Sequence, residues 1–267
     1  MIRLFKSLIG FCVIVIANGA YDDNNCFIAK ENGKIIKQLG KCDGRHAPFS
    51  TFKIAIAVME FDANILKSPL EPVVKTSDEI KQSLESSCII KRYPTTLLWK
   101  SDSQNPLSWM TYSVVWYSQW ITKQLGMEKF KNYVNILNYG NKDVSGDPRE
   151  NNGLTHAWLN TSLRISPLEQ VNFVEKLSQK QLPLSIQAQE NTIKLIEQEK
   201  IWDDWQLYGK TGGGINGWFV GWIEKDYRRI VFAQYIDQQP DMLISSGRKA
   251  RELAKDNLIS LMFPHLK

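Results

Sequence analysis

The sequence of 267 residues predicts an α+β fold, with an antiparallel sheet, terminal helices and an inserted helical lobe. Two observations favour this class: strand-like segments lie near both ends of the chain, and helix-like segments fill the middle. The length suits one large domain or two intertwined subdomains. The hydrophobic content of 43% and the charged content of 23% are ordinary for a globular protein. No internal repeat or low-complexity tract divides the sequence.

Residues 1–20 have the features of a secretory signal peptide that is cleaved. Arg3 and Lys6 form a charged start, Ser7 to Ala17 form a short apolar segment, and small residues follow for cleavage near position 19 or 20. The alternative is a retained anchor, which the shortness of the apolar segment disfavours. The mature chain, 21–267, is therefore predicted to be exported as a single domain that has no contact with the membrane after cleavage.

The net charge of the chain is small. Without the two basic residues of the predicted leader, 31 basic residues face 28 acidic ones, a formal net charge of +3. This is too low and too evenly spread to predict nucleic-acid binding. No Cys or His spacing suggests a metal site. Cys26 and Cys42 flank a predicted hairpin, so a disulfide between them is favoured, with Cys88 buried and free; other pairings remain open.

The first half of the chain contains one hairpin and three predicted helices. Cys26 to Gln38 forms two strands around Asn-Gly, a strong hairpin signal. A helix that begins near Ser50 is apolar on every side and is therefore buried. Trp109 to Leu125 is predicted as one helix that ends at Gly126, and a further helix covers Met127 to Leu137.

The second half returns from helices to strands. A helix begins at Ser166, because Pro167 suits its first position and Glu169 completes a capping box. The remaining predicted elements are a helix at 186–199, strands at 207–210, 217–223 and 230–236, and a closing helix at 246–262.

Ser50 and Lys53 form the first chemically suggestive pair. They are three residues apart, so they share a helix face. Burial lowers the pKa of a lysine, and a neutral amine beside a hydroxyl can activate that oxygen as a nucleophile. The alternative is a capping serine and a lysine that extends to the surface, which this stretch alone favours.

Three further stretches accompany this pair: Ser113-Val114-Val115, Tyr139-Gly140-Asn141 and Lys210-Thr211-Gly212. Each alone suggests something ordinary: a helix cap, a turn or a solvated strand end. All four in this order are improbable by chance. Together with Trp158 they make the sequence resemble the class D, oxacillinase-type serine β-lactamases. The segments 109–119, 139–169 and 208–222 also look like that family, so the resemblance covers most of the mature chain.

The resemblance implies a β-lactamase/penicillin-binding-protein transpeptidase-like fold with α/β and all-helical subdomains. It further implies a periplasmic enzyme, monomer or homodimer, that hydrolyses penicillins of the oxacillin type and confers resistance. Class A enzymes and penicillin-binding proteins carry Ser-x-Asn where this chain has Ser113-Val114-Val115, and the glutamate motif of class A is absent.

By the same resemblance, Ser50 is the nucleophile, and Lys53 is carboxylated on its side-chain nitrogen to serve as general base. Carbon dioxide or bicarbonate is then the only cofactor needed, and no metal is involved. The indole N–H of Trp158 is expected to hold the carbamate, with Val115 in the apolar wall around it.

The remaining implied roles concern the substrate. Ser113 passes a proton towards the leaving nitrogen, with Lys210 close by. Backbone N–H groups of Ser50 and Gly213 form the oxyanion hole. Thr211 and Arg248 bind the substrate carboxylate.

One departure from the family lies between the Lys-Thr-Gly motif and Trp218, where only residues 213–217 intervene and many family members have a longer loop. A short glycine-rich loop leaves the rim of the cleft open, so efficient turnover of penicillins and poor turnover of carbapenems are predicted. Three other functions remain open: a β-lactam sensor or penicillin-binding domain that acylates without turnover, a peptidoglycan peptidase, and a binding protein with a vestigial site.

Overall fold

The structure, a computed structural model, describes residues 24–86, 94–237 and 245–263. The predicted leader and Cys88 lie outside these ranges. The strands are β1 (Cys26–Glu31), β2 (Lys34–Gly40), β3 (Val74–Lys75), β4 (Ser103–Gln104), β5 (Glu197–Ile201), β6 (Trp205–Gly213), β7 (Asn216–Lys225) and β8 (Arg228–Asp237). The helices are α1 (Lys53–Asp62), α2 (Asp78–Ser86), α3 (Pro106–Tyr112), α4 (Val115–Leu125), α5 (Met127–Ile136), α6 (Gly153–His156), α7 (Pro167–Ser178), α8 (Ile186–Ile196) and α9 (Ser246–Met262).

A six-stranded antiparallel sheet is the centre of the fold, with the strand order β2-β1-β8-β7-β6-β5. The first and last strands that the structure describes are neighbours, since Cys26 of β1 pairs with Tyr235 of β8. The middle of the chain forms the inserted helices. The predicted α+β class is confirmed.

Two hydrophobic clusters pack against the sheet, and alternate residues of β7 belong to different ones. Trp218, Val220 and Trp222 join the larger cluster, which contains α1 and most of the other helices. Phe219 and Ile223 join the smaller cluster, which α9 covers. This alternation is the period of two that a strand with both faces buried must show.

Helix α1 lies at the centre of the larger cluster. Lys53 to Phe61 are all buried, and this run includes two ionisable residues, Lys53 and Glu60. The predicted buried helix is confirmed, although its first turn is a 3-10 turn over Phe49–Phe52 that precedes the α-helix.

The first hairpin follows its local chemistry. Asn32 and Gly33 both have positive φ, 51° and 79°, as a tight two-residue turn requires. A disulfide joins Cys26, at the start of β1, to Cys42, just after β2. The favoured pairing is therefore confirmed.

Two predicted elements were wrong. The single helix over 109–125 is divided at Ser113, whose φ of 60° is left-handed and ends α3 before α4 begins. The helix predicted over 186–199 ends at Ile196, because Glu197–Ile201 pair with β6 as an edge strand that the sequence did not reveal. The closing helix has the predicted bounds, and the capping box at Ser166 is present. Within the described ranges, no helix has the length and apolar character needed to cross a membrane.

Candidate active site

The nucleophile candidate lies on the turn that leads into α1. Ser50 is the second residue of the 3-10 turn, and Lys53 is the first residue of α1. The side-chain nitrogen of Lys53 lies 3.2 Å from Ser50 Oγ, within hydrogen-bonding distance. The spacing of three residues therefore places amine and hydroxyl in contact, as predicted.

Lys53 is an unusual lysine because its side chain is completely buried. Burial is the main cause that lowers its pKa well below the ordinary value, and the positive charge of Lys210 lowers the pKa further. Within the described residues, no carboxylate forms a salt bridge with the side-chain nitrogen of Lys53. The structure thus favours a neutral amine beside Ser50.

Lys210 is a second buried lysine near the first. It lies on β6, 4% exposed, and donates a hydrogen bond of 3.1 Å to the Thr211 carbonyl. Burial, followed by the charge of Arg251, lowers the pKa of Lys210 to about 7. An amine with such a pKa exchanges protons readily near neutral pH.

Strand β6 lies directly against the nucleophile turn. A Cβ on Gly212 would be 2.8 Å from the Pro48 carbonyl oxygen and 3.0 Å from Thr51 Cγ2. Only a glycine permits this approach, so the Lys-Thr-Gly segment needs its glycine to reach the turn that carries Ser50.

Trp158 also contacts this turn. Its carbonyl accepts a 3.1 Å hydrogen bond from the Phe49 N–H, and its ring lies 5.7 Å from the Phe52 ring. The indole is fully buried, yet its Nε1–H has no hydrogen-bond partner among the described residues. A buried donor without a partner is costly, so this atom indicates an acceptor that the unmodified side chains do not supply.

Ser113 and Val115 occupy the junction of α3 and α4. Ser113 is half-buried in its left-handed conformation, and its hydroxyl makes no hydrogen bond to Ser50, Lys53 or Lys210. Val114 is fully buried, whereas Val115 is half-buried in the first turn of α4. Helix α4 packs against α1, the helix that the nucleophile turn leads into.

The predicted substrate-binding residues meet at the end of β6. A Cβ on Gly213 would be 3.3 Å from Ser246 Oγ and from the Gly247 nitrogen, and a Cβ on Gly247 would be 3.4 Å from Thr211 Cβ. Arg248 follows in the first turn of α9, exposed, with no salt bridge to any carboxylate that the structure describes. Thr211, Gly213 and Arg248 therefore lie at one end of the sheet.

A buried chain of hydrogen bonds, which sequence reasoning missed, also supports the nucleophile turn. Tyr139 OH donates to Gln170 Oε1 (3.4 Å), Gln170 Nε2 donates to Thr51 Oγ1 (2.8 Å), and Thr51 Oγ1 donates to the Pro48 carbonyl (2.7 Å). The only signal for it was the polar Gln170 on the inner face of a predicted helix.

Comparison with known proteins gives consistent matches. Residues 13–258 match the family described as the penicillin binding protein transpeptidase domain. The chain is 37% identical to beta-lactamase OXA-9 of Klebsiella pneumoniae, over 89% of this chain and 88% of that protein. It is 38% identical to beta-lactamase OXA-1 of Escherichia coli, over 86% of this chain and 82% of that protein. The solved structure of the OXA-427 class D beta-lactamase is 35% identical, with a TM-score of 0.78, and the match covers 89% of this chain and 98% of that one.

Proposed function

We propose that this chain, which belongs to the penicillin-binding-protein transpeptidase domain family and within it to the class D β-lactamases, hydrolyses β-lactams through an acyl-enzyme on Ser50. The observation that carries the proposal is the 3.2 Å contact between Ser50 Oγ and the buried amine of Lys53. A serine is a weak nucleophile until an adjacent base takes its proton, and this contact supplies that base.

Acylation begins when Ser50 Oγ attacks the lactam carbonyl carbon and its proton passes to the base at position 53. The backbone N–H groups of Ser50 and Gly213 stabilise the oxyanion that forms. The lactam C–N bond then breaks, and Ser113, with Lys210 close by, gives a proton to the leaving nitrogen. The pKa of Lys210, lowered to about 7, suits this transfer.

The residues around Lys53 fit a carboxylated lysine. Reaction with carbon dioxide requires a neutral amine, and the burial that lowers the pKa of Lys53 supplies one. The carbamate oxygens would accept the hydrogen bond that the buried Trp158 Nε1–H lacks. In this form position 53 offers a carboxylate-type base for both acylation and deacylation. Trp158 would hold that base, and Val115 would form part of the apolar wall.

At the other end of the site, Thr211 and Arg248 bind the substrate carboxylate. The exposed guanidinium of Arg248 has no competing salt bridge among described residues and is suited to a two-pronged contact with a carboxylate. We assign the chain to the periplasm, with residues 1–20 as the cleaved leader. The two-residue loop between β6 and β7 leaves the rim open, so penicillins are turned over well and carbapenems poorly.

A time course of chromogenic β-lactam opening, with substrate in large excess, tests the proposal. Sustained turnover that is proportional to enzyme and is abolished in Ser50→Ala supports it. A single burst equal to the enzyme concentration would instead mean a sensor or penicillin-binding domain that stalls at the acyl stage. No opening would remove Ser50 from catalysis.

A further inference from the structure

Phe49, the residue immediately before Ser50, has no role in the mechanism described above, yet its backbone conformation is unusual. Its φ of 47° lies in the left-handed region, where a bulky side chain is strained. Its N–H is bonded to the Trp158 carbonyl, and only 7% of the residue is exposed. Strain of this kind persists only where surrounding contacts hold the residue in place, and it concentrates at functional sites.

The ring of Phe49 lies on the backbone of Gly214. A Cβ on Gly214 would be 2.3 Å from ring atom Cε1 and 2.4 Å from Cζ, so any larger residue at position 214 would displace the ring. Gly214 follows Gly213, whose N–H is assigned to the oxyanion hole. One side chain therefore joins the residue before the nucleophile to the residue after the oxyanion donor.

Helix α9 also contacts the hairpin that joins β6 to β7, through the side chain of Ser246. Ser246 is buried, and its hydroxyl lies 2.8 Å from the Asn216 carbonyl oxygen and 3.3 Å from the Gly214 nitrogen. Successive residues of a strand point to opposite sides. Accordingly, the position of a Cβ on Gly213 faces Ser246, whereas the position of a Cβ on Gly214 faces Phe49. Apart from the backbone pairing of Gly213 with Gly217 and the 3.0 Å hydrogen bond from the Gly214 N–H to the Asn216 carbonyl, these two side chains are what restrains the glycines, whose backbone is otherwise permissive.

We infer that Phe49 is a positioning residue that fixes the Gly213–Gly217 hairpin, and with it the oxyanion-hole N–H, relative to Ser50. The inference rests on the proposed function for the meaning of that N–H. Because the ring is almost completely buried under the hairpin, it acts on the transition state through Gly213 rather than by touching substrate. Its loss should therefore lower the acylation rate constant far more than it changes the dissociation constant of the non-covalent enzyme–substrate complex.

The test compares Phe49→Ala with Phe61→Ala, which deletes an equally buried phenylalanine (8% exposed) from the end of α1 that is remote from Ser50. Phe49→Ala should lower the pre-steady-state acylation rate constant of a chromogenic penicillin by roughly 10- to 100-fold, the scale of a misplaced catalytic group. The dissociation constant of the non-covalent complex, taken from the dependence of that rate on substrate concentration, should change less than about 3-fold. Phe61→Ala should lower the melting temperature but leave the acylation rate within about 2-fold of wild type. Phe49→Leu should retain part of the acylation rate that Phe49→Ala loses.

Amide hydrogen exchange gives a readout that does not depend on catalysis. Phe49→Ala, or Phe49→Leu if the alanine variant does not fold, should speed exchange across Gly213–Gly217 by about 10-fold, and Phe61→Ala should not. Equal acylation rates in Phe49→Ala and Phe61→Ala, a change in the dissociation constant of the non-covalent complex alone, or unchanged hairpin exchange would each overturn the inference. If the wild-type chain forms no acyl-enzyme, the proposed function fails, and hydrogen exchange still decides whether Phe49 holds the hairpin.

Discussion

Replacing Glu60 by leucine should stabilise the protein. Glu60 is buried in α1, and neither of its carboxyl oxygens has a hydrogen-bond partner among the described residues. An unpartnered buried polar group costs about 1–3 kcal/mol. An apolar side chain of similar size at this position should recover that amount. At about 2–4 °C per kcal/mol for a chain of this size, the melting temperature should rise by roughly 2–12 °C.

The stability that Glu60→Leu gains over wild type should also increase with pH. Burial raises the pKa of Glu60 well above its ordinary value, so the folded protein keeps a proton that the unfolded chain releases near pH 4.5. For a raised pKa the contribution of the group is fully present below the unfolded value and is lost as pH rises towards the folded value. Wild-type stability should therefore fall through that window by up to about 1.4 kcal/mol per pH unit, the maximum for one proton. The Glu60→Leu variant has no carboxyl group at this position, so its stability should not fall in this way.

Thermal unfolding of wild type, Glu60→Leu and Glu60→Gln between pH 5 and 8.5 separates the two effects. The glutamine variant cannot ionise but keeps polar atoms in the core, so it should remove the pH dependence and recover little stability at pH 5. If the leucine variant melts below wild type throughout, or if the difference between them does not change with pH, the reasoning about an unpartnered carboxyl is wrong.

Three other predictions follow from contacts described above. Trp158→Phe removes the indole N–H together with the five-membered part of the ring, so the acyl-enzyme should accumulate, and mass spectrometry of penicillin-treated enzyme would show it; unchanged deacylation would exclude Trp158 from holding the base. Replacing Cys26 and Cys42 by serine should lower the free energy of unfolding by about 2–4 kcal/mol in denaturant titrations, and an unaltered midpoint would contradict this. Gln170→Leu breaks the hydrogen bond to Thr51 and should reduce kcat at least several-fold with little change in KM, whereas Gln170→Glu, which keeps an acceptor but not the donor, should not rescue it.

Elements with strong local chemistry could be predicted from the sequence. Asn32-Gly33 supplies the left-handed residues of a tight turn, and Ser166 with Glu169 forms a reciprocal cap. Strand β5 could not be predicted, because it is a polar, largely exposed edge strand that exists through its pairing with β6. The break at Ser113 was missed for a similar reason: a serine with left-handed φ has no signature in helical periodicity.

The same division applies to the site. The contact of Ser50 with Lys53 spans three residues, so spacing alone predicts it. The bond from Gln170 to Thr51 spans 119 residues, and the contact of Phe49 with Gly214 likewise joins distant parts of the chain. Such contacts depend on how the sheet meets the helices, which no local pattern specifies. The catalytic and binding roles of the site residues all stay predictions: Ser50, Lys53, Ser113, Val115, Trp158, Lys210, Thr211, Gly213 and Arg248.

The pairing of β1 with β8 has a consequence for the order of folding. Cys26 and Gln234 are 208 positions apart in sequence, yet they share a hydrogen bond inside the sheet. As the ribosome releases the chain from its N-terminus, β1 and the Ser50 turn emerge long before the strand that must lie beside β1. Contacts between such distant segments make folding slow, and an unpaired strand is vulnerable to aggregation until its partner arrives. The catalytic cleft therefore cannot assemble until β6, β7 and β8 have been made, and any chaperone that protects this protein has its longest period of access to β1.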